Sequence, residues 1–321
     1  MINREPSGTS HYLLAFFRSE LYADGEQVRF AVSNDSEPTT WTELNGGHPV
    51  LWSTVGERGT RDPFLIRDEA RKKFVIIATD LRVFPGEDWE RATRHGSRNI
   101  VVWESSDLVK WDGPHLREVS KPSAGNTWAP KAYWSVRENR WLVFWASAIF
   151  DDDRSHAEYQ RMMVSATSDF QEFTPTVVHL DAGHDIIDLT FLEDRGVWYR
   201  FSVNALSATP QADVGHHILE EVGRALEDQQ YETLAIDIGK DVMVRAEGPA
   251  VSKHPVEDRW YLLADEFGLR GYQLFETSDL TTGAWAHRSD AKLPEGARHG
   301  SLLPITSIER EMLLAATWPT P

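Results

Sequence analysis

Three acidic residues occupy matching places along the chain: Asp62 in Arg61-Asp62-Pro63, Asp188 in Ile187-Asp188-Leu189 and Glu247 in Glu247-Gly248-Pro249. Each stands at the opening of a short apolar run that reads as a β-strand. Trp128-Ala129-Pro130 and Arg298-His299-Gly300 hold the same place in two further segments. If these openings converge, three carboxylates share one small volume, where they repel one another and burial penalises their charge. A purely structural hub has little reason to collect them. Hydrolysis of an acetal has one, because it needs a proton delivered to the leaving oxygen and a base or nucleophile on the other side of the ring. Two carboxyl groups must then hold different protonation states, and a third beside the acid raises its pKa toward the working pH. Taken singly, Asp before Pro and Glu-Gly-Pro are ordinary turn sequences. Their equivalence within a repeat is what gives them weight.

The repeat is a proline followed eleven residues later by an aromatic that opens a second strand, at Pro63 to Phe74, Pro130 to Trp141 and Pro249 to Trp260. Charged turns (RDEARKK, SVRENR, HPVEDR) separate the two strands, so each copy is a hairpin, and a weaker fourth runs from Ile187 to Trp198. A later element follows in phase, with a turn Asp and then an aromatic, in Ser33 to Trp41, Ser106 to Trp111, Ser168 to Phe173 and Ser278 to Trp285. Asp suits such a turn because its side chain bonds the backbone two residues on. Together these describe a four-stranded unit recurring roughly every 50 to 70 residues, the signature of a propeller blade. The N-terminal segment has strands but no first strand, whereas the C-terminal RHGSLLPI is a first strand without its blade. An all-β fold follows: a five-bladed β-propeller whose ring is closed by the N- and C-terminal segments. A short helix at Thr306 to Ala315, opened by a Thr306/Glu309 capping box, follows the last strand. With no linker, residues 1–321 read as one catalytic domain, with residues 1–9 expected to be flexible. A two-sheet β-sandwich would also show many short strands, but not matched hairpins.

The net charge of −17 argues against nucleic acid and against an anionic membrane surface. No apolar run approaches a membrane span and no signal segment is evident, so a cytoplasmic location is expected for the sequence as given, or a secreted one if a leader was trimmed. Without Cys there is no disulfide, thiolate nucleophile or Cys-based metal site. Thirteen Trp supply core filler and flat platforms for sugar rings. Long polar connections, Leu81 to Asn99, Ala148 to Gln160 and Asn204 to His216, are expected to rise around the mouth, making Trp89, Phe150 and the acidic run Asp151 to Asp153 candidates for shaping the pocket. His216 and His217 show no metal-ligand spacing and read as surface or loop residues. No GxSxG, HExxH, Walker A or GxGxxG motif is present.

This set of motifs, RDPF at Asp62, TWAP at Trp128, IDLTF at Asp188, EGP at Glu247 and RHGS at His299, resembles glycoside hydrolase family 43 over nearly the whole chain. The resemblance implies Asp62 as the general base that activates water, Asp188 as the residue that orients the base and tunes the acid, and Glu247 as the general acid. It also implies inversion at the anomeric carbon and a carbohydrate-binding mouth including Arg61, Trp128, Arg298 and His299. In some members the hub histidine, here His299, holds a central water or calcium ion. No cofactor is expected to be required; a structural calcium at the hub is the one metal the resemblance leaves open. Many relatives follow WAP with an acidic residue where this chain has Lys131, so a sugar contact there is in doubt. The fructan-cleaving propellers also carry an RDP motif, but their NDPNG-like blade and Glu-Cys-Pro acid are missing. The expected activity is exo-hydrolysis of terminal α-L-arabinofuranosyl units, with β-xylosides and β-D-galactofuranosides as close alternatives and a non-catalytic carbohydrate-binding propeller as the alternative of another class.

Overall fold

The structure, a computed structural model, describes residues 8–86, 88–156, 158–204 and 216–318. The chain begins with β1 (Thr9–Phe17), β2 (Arg29–Ser33) and β3 (Trp41–Glu43). Blade I holds β4 (Thr60–Asp68), β5 (Lys73–Asp80), β6 (Asn99–Ser105) and β7 (Trp111–Glu118), with the short helix α1 (Trp89–Arg94) between β5 and β6. Blade II holds β8 (Trp128–Ser135), β9 (Arg140–Ala148), β10 (Gln160–Thr167) and β11 (Val177–Leu180). Blade III is β12 (Ile186–Asp194), β13 (Val197–Asn204), β14 (His217–Gly223) and β15 (Glu232–Ile238). Blade IV is β16 (Glu247–Lys253), β17 (Trp260–Glu266), β18 (Gly271–Thr277) and β19 (Ala286–His287). The last strand, β20 (Arg298–Thr306), pairs antiparallel with β1 and completes blade V in the order β20-β1-β2-β3.

The five-bladed propeller and its closure by both ends of the chain are therefore as expected from the repeat. Closure matters physically because it leaves the ring no open seam, and the two ends hold it together through β1–β20 pairing. Thr9 is already buried in β1 opposite Thr306, so the expected flexibility does not extend to it. Gly8 is exposed, and residues 1–7 of that expectation lie outside the described residues. α2 (Ser307–Ala315) follows β20, and the reciprocal Thr306/Glu309 capping box is formed. The turn aspartates behave as their chemistry requires. Asp107 accepts from the amides of Val109 and Lys110, Asp169 from Gln171 and Glu172, and Asp279 from Thr281. The aromatic that follows seals the turn: Trp111 Nε1 donates to Leu108 O and Trp41 Nε1 to Pro38 O.

One feature of the inner strands differs from the expectation that the key residues precede them. Each inner strand continues through its key residues by way of a bulge. Register shifts interrupt pairing at Arg61/Phe64, Trp128/Lys131, Ile187/Thr190 and Glu247/Ala250, with a fifth on β1 opposite Arg298–Ser301. At each interruption one residue takes a left-handed φ: Asp62 (54°), Ala129 (50°), Asp188 (57°), Gly248 (57°) and His299 (34°). Positive φ is unusual outside glycine, and such residues persist only where the surroundings hold them. A bulge also re-aims side chains and tolerates proline, which has no amide to offer the ladder. That is why Pro63, Pro130 and Pro249 sit inside strands.

Between blades III and IV, Glu220 of β14 is fully buried; Trp285 Nε1 donates to its Oε2 at 2.8 Å, and among the described residues Oε1 has no hydrogen-bond partner. Burial raises its pKa to about 7, only partly offset by the Trp285 bond. A raised carboxylate pKa means that the folded state holds the proton longer, so stability falls as pH rises from about 4.5 through 7 and is flat beyond. Glu220→Gln should remove that slope. Relative to the parent protein, its unfolding free energy should improve by on the order of 3 kcal/mol between pH 5 and pH 8; an unchanged difference in denaturant titrations would refute this.

Candidate active site

The five bulges bring five segments to one point on the ring axis. Asp62 from β4, Asp188 from β12 and His299 from β20 come from the left-handed position itself, and all three are buried. Glu247 comes from one residue earlier, the place held elsewhere by Arg61, Trp128 and Arg298. It is correspondingly less enclosed. In its blade the left-handed position belongs to Gly248, where a Cβ would lie 2.5 Å from a carbon of the His299 ring. Glycine there leaves room for the imidazole.

His299 is the centre of the cluster. Its Nδ1 lies 3.2 Å from Asp62 Oδ1 and 3.6 Å from Asp188 Oδ2, and its Nε2 lies 3.5 Å from Glu247 Oε2 and 3.2 Å from Asp265 Oδ2. Burial alone would discharge the ring, but Asp188, Asp265 and Asp62 outweigh it and raise the pKa to about 10. His299 is therefore an imidazolium. Asp62 responds in the opposite sense. Burial pushes its pKa up, yet the hydrogen bond and charge of His299, with Arg61 and Thr79, hold it at about 2. Thr79 Oγ1 donates to Asp62 Oδ2 at 2.6 Å while accepting from the amide of Ala129, which fixes the carboxylate plane. Asp188 is raised to about 6 by burial and by the charges of Glu247 and Asp62, against the pull of His299. It accepts from the amide of Gly248 at 2.9 Å and so braces the residue next to Glu247.

Around this hub the mouth is built from charge pairs and aromatics. Arg61 contacts Glu20 at 3.2 Å and Glu26 at 3.1 Å, and its guanidinium stacks on Phe17 and Trp89. Arg298 bridges Glu20 and Asp265. Trp89, 36% exposed, meets Trp128 edge to face with ring centres 6.2 Å apart. These rings form one wall of the mouth. A family model described as "Probable glycosyl hydrolase domain", related to glycoside hydrolase family 43, matches residues 8–311.

The chain belongs to the family 43 glycoside hydrolases. The chain is 27% identical over 303 residues to an α-L-arabinofuranosidase of Bifidobacterium longum subsp. longum, a match covering 84% of this chain and 28% of that protein. The chain thus spans little more than a quarter of that curated relative. Among solved structures, a Penicillium chrysogenum α-L-arabinanase complexed with arabinobiose superposes with a TM-score of 0.58 at 15% identity, covering 94% of this chain and 85% of that one. A thermostable family-43 glycoside hydrolase gives 0.55 at 19% identity, covering 78% and 81%. At these identities the two structures speak for the fold.

Several expectations are corrected by the placement of side chains. Phe150 does not face the mouth. It is buried with the guanidiniums of Arg94 and Arg154 over its ring, because each of those arginines donates to the other's backbone carbonyl and so locks the β5–β6 and β9–β10 connections together. Asp151, Asp152 and Asp153 are solvent-exposed. The β5–β6 connection is not merely loop, since Asp88 caps α1 by accepting from the amide of Arg91. Most of the Asn204 to His216 connection, 205–215, lies outside the described residues. His216 and His217 are not idle surface residues. His217 is buried in β14, and His216 Nδ1 approaches Glu247 Oε1 at 3.7 Å, which together with nearby Asp185 raises its pKa despite partial burial.

Sequence reasoning also missed Glu20, Asp265 and Tyr272. Tyr272 OH donates to Gly248 O and accepts from the amide of Gly300, tying the residues that follow Glu247 and His299. All three lie on second or third strands or connections, where no repeated motif singles them out. Lys131, 2% exposed, holds its ammonium over the Phe64 ring, where burial lowers its pKa against the pull of the Asp188 and Asp62 charges. It lines a cavity of about 630 Å³ that runs along the axis on the other side of the bulges from the carboxylates. This cavity contains none of the residues that carry chemistry.

As a calcium site the hub is a poor fit. Asp188, Glu247 and His299 bring ligand atoms within 4.8 Å of one another, but calcium takes six to eight oxygens and this set offers two carboxylates and a ring nitrogen. The positive charge that would balance the acids is already supplied by His299.

Proposed function

We propose that the hydrolase removes terminal α-L-arabinofuranosyl units from oligo- or polysaccharides with inversion, Asp62 acting as base and Glu247 as acid. The observation that carries this is the placement of Asp62 and Glu247 against opposite nitrogens of one imidazolium. Two such contacts across one ring put the carboxylates no more than about 9 Å apart, below the upper limit of the roughly 6.5 to 9.5 Å that leaves room for a water between base and sugar. Asp62, held ionised, takes a proton from that water as its oxygen attacks the anomeric carbon. Glu247 gives its proton to the glycosidic oxygen as the bond to the leaving sugar breaks. Asp188 holds the Gly248 amide, and through it the backbone of the acid.

The name of the Bifidobacterium relative supports arabinofuranosyl as the sugar, and the wall of Trp89, Trp128 and α1 supports a pocket closed on one side. β-Xylosides and β-D-galactofuranosides demand the same chemistry. A panel of nitrophenyl furanosides and pyranosides should show the highest kcat/KM on the α-L-arabinofuranoside, and proton NMR during hydrolysis should show the β-anomer of arabinose appearing first. Appearance of the α-anomer first would refute inversion. A propeller that binds sugars without cleaving them would give no turnover on any member of the panel.

A further inference from the structure

A deeper reading of the same site rests on Glu247 being the acid. Four side chains stand in order across the mouth. His216 Nδ1 is 3.7 Å from Glu247 Oε1; the other carboxylate oxygen is 3.5 Å from His299 Nε2; and His299 Nδ1 is 3.2 Å from Asp62 Oδ1. His216 thus approaches the carboxylate oxygen of the acid that does not face His299. In an in-line displacement the leaving group departs on the acid's side, away from the attacking water. It therefore leaves toward His216.

What stands there is a preformed surface. The Phe267 ring centre lies 6.1 Å from that of His216, and the Arg245 guanidinium lies over the Phe267 ring, 4.4 Å from its centre. Arg245 Nε donates to Phe267 O at 2.8 Å. The neighbouring Gly268 has a φ of 69°, and a Cβ there would come 2.8 Å from Arg245 Nη2, so glycine lets the guanidinium lie close to the turn. Buried Glu266 ties the base of the turn by accepting from the amide of Val244 at 2.8 Å and from Arg270 Nε. Leu269, at the tip of the same turn, is 57% exposed. The ordering cost of this surface is met before a ligand arrives. Among the described residues His216 Nδ1, shielded from solvent, makes no hydrogen bond, Glu247 Oε1 lying beyond that reach at 3.7 Å. A buried polar atom of that kind needs one, and a sugar hydroxyl can supply it.

We propose that His216 and Phe267 form the subsite for the sugar that leaves, its ring packed on Phe267 and a hydroxyl bonded to His216. They then select the residue to which the terminal sugar is attached, while the hub selects the terminal sugar itself.

The test compares two substrates with one glycosyl group: arabinofuranosyl fluoride, whose leaving group fills no subsite, and an arabinofuranosyl disaccharide. For His216→Ala and for Phe267→Ala, the ratio of kcat/KM on the disaccharide to that on the fluoride should fall about 10-fold or more, mostly through KM on the disaccharide. Phe267→Tyr, which keeps a flat ring, should restore most of it. A loss confined to His216→Ala would mean that His216 only tunes Glu247, and an unchanged ratio in both would mean that neither touches the leaving sugar; each overturns the proposal. If the parent enzyme prefers another glycosyl group, the fluoride and disaccharide of that sugar are used, so that a wrong sugar and a wrong subsite give different results.

Discussion

Asp62→Asn is expected to lower kcat/KM by about 100-fold to 10,000-fold on every glycoside the enzyme cleaves, whatever the leaving group. The carboxylate at this position is kept ionised at a pKa of about 2 by His299, Arg61 and Thr79 against the cost of its burial. An amide has no site to take the proton of the attacking water, and that proton must be lost whether the departing group is a sugar or an activated phenol. Glu247→Gln should behave differently. Its loss should be comparably large on saccharides, whose alkoxide leaves only with a proton, and should shrink toward wild-type rates on dinitrophenyl glycosides, whose leaving group needs none. The contrast between the two variants separates base from acid, where a simple loss of activity would not. If the leaving-group dependence followed Asp62→Asn instead, the roles would be exchanged; full turnover by either variant would remove that residue from the chemistry. Thermal unfolding of Asp62→Asn should be measured alongside, since its amide nitrogen would face either Thr79 Oγ1 or the charged Nδ1 of His299.

Why the fold was readable and parts of the site were not follows from where each signal is stored. Blade units announce themselves locally. An inner hairpin, a turn Asp bonding amides two and three residues on, and a Trp closing that turn all lie within short stretches, so Asp107 with Trp111 or Pro130 with Trp141 are visible without any tertiary knowledge. Convergence of Asp62, Asp188 and His299 was legible for the same reason, because the ring maps one sequence position of each blade to one place on the axis. Glu247 shows the limit of that mapping. It aligns by motif with the other acids, but it stands one residue earlier, and only the bulge, with Gly248 in the left-handed conformation, aims both positions at the hub. Asp265, Tyr272 and His216 reach the site across strand pairing and connections, where a residue's neighbours in sequence say nothing about its neighbours in space. Asp265 is the cross-strand partner of Glu247, a relation that exists only once the register of β16 on β17 is known. Phe150 was misplaced for the converse reason: an aromatic on a long connection can serve the mouth or anchor the connection, and two arginines elsewhere decide which.

The hub makes a second large effect predictable, in stability as well as in rate. His299→Gln leaves the ring's space nearly filled but removes the charge that four carboxylates, Asp62, Asp188, Glu247 and Asp265, share at 3.2 to 3.6 Å. Breaking a buried ion cluster on one side costs on the order of 3 to 5 kcal/mol, because the opposite charges remain buried without compensation. The pH dependence has a definite sign. A histidine whose folded pKa is raised from 6.5 to about 10 contributes its full stabilisation below pH 6.5 and loses it as pH rises through 10, so at pH 8 the parent protein still retains much of it. In the variant the acids repel one another and bind protons more readily. Asp188, already raised to about 6, is the first to do so. Below pH 6.5 the histidine contribution no longer changes, so acidification from pH 6.5 to pH 5 should narrow the gap in unfolding free energy between the two proteins as the variant's acids take up protons. A gap that stayed constant over that range, or none at all, would mean that His299 fills space as a neutral ring. It would also undo the electrostatic account of Asp62, since the same imidazolium that steadies the fold keeps that carboxylate charged in a buried site. Activity should fall with stability but not because of it: at a temperature where His299→Gln is fully folded, kcat should still be reduced, because Asp62 and Glu247 would have lost the one group that both of them touch.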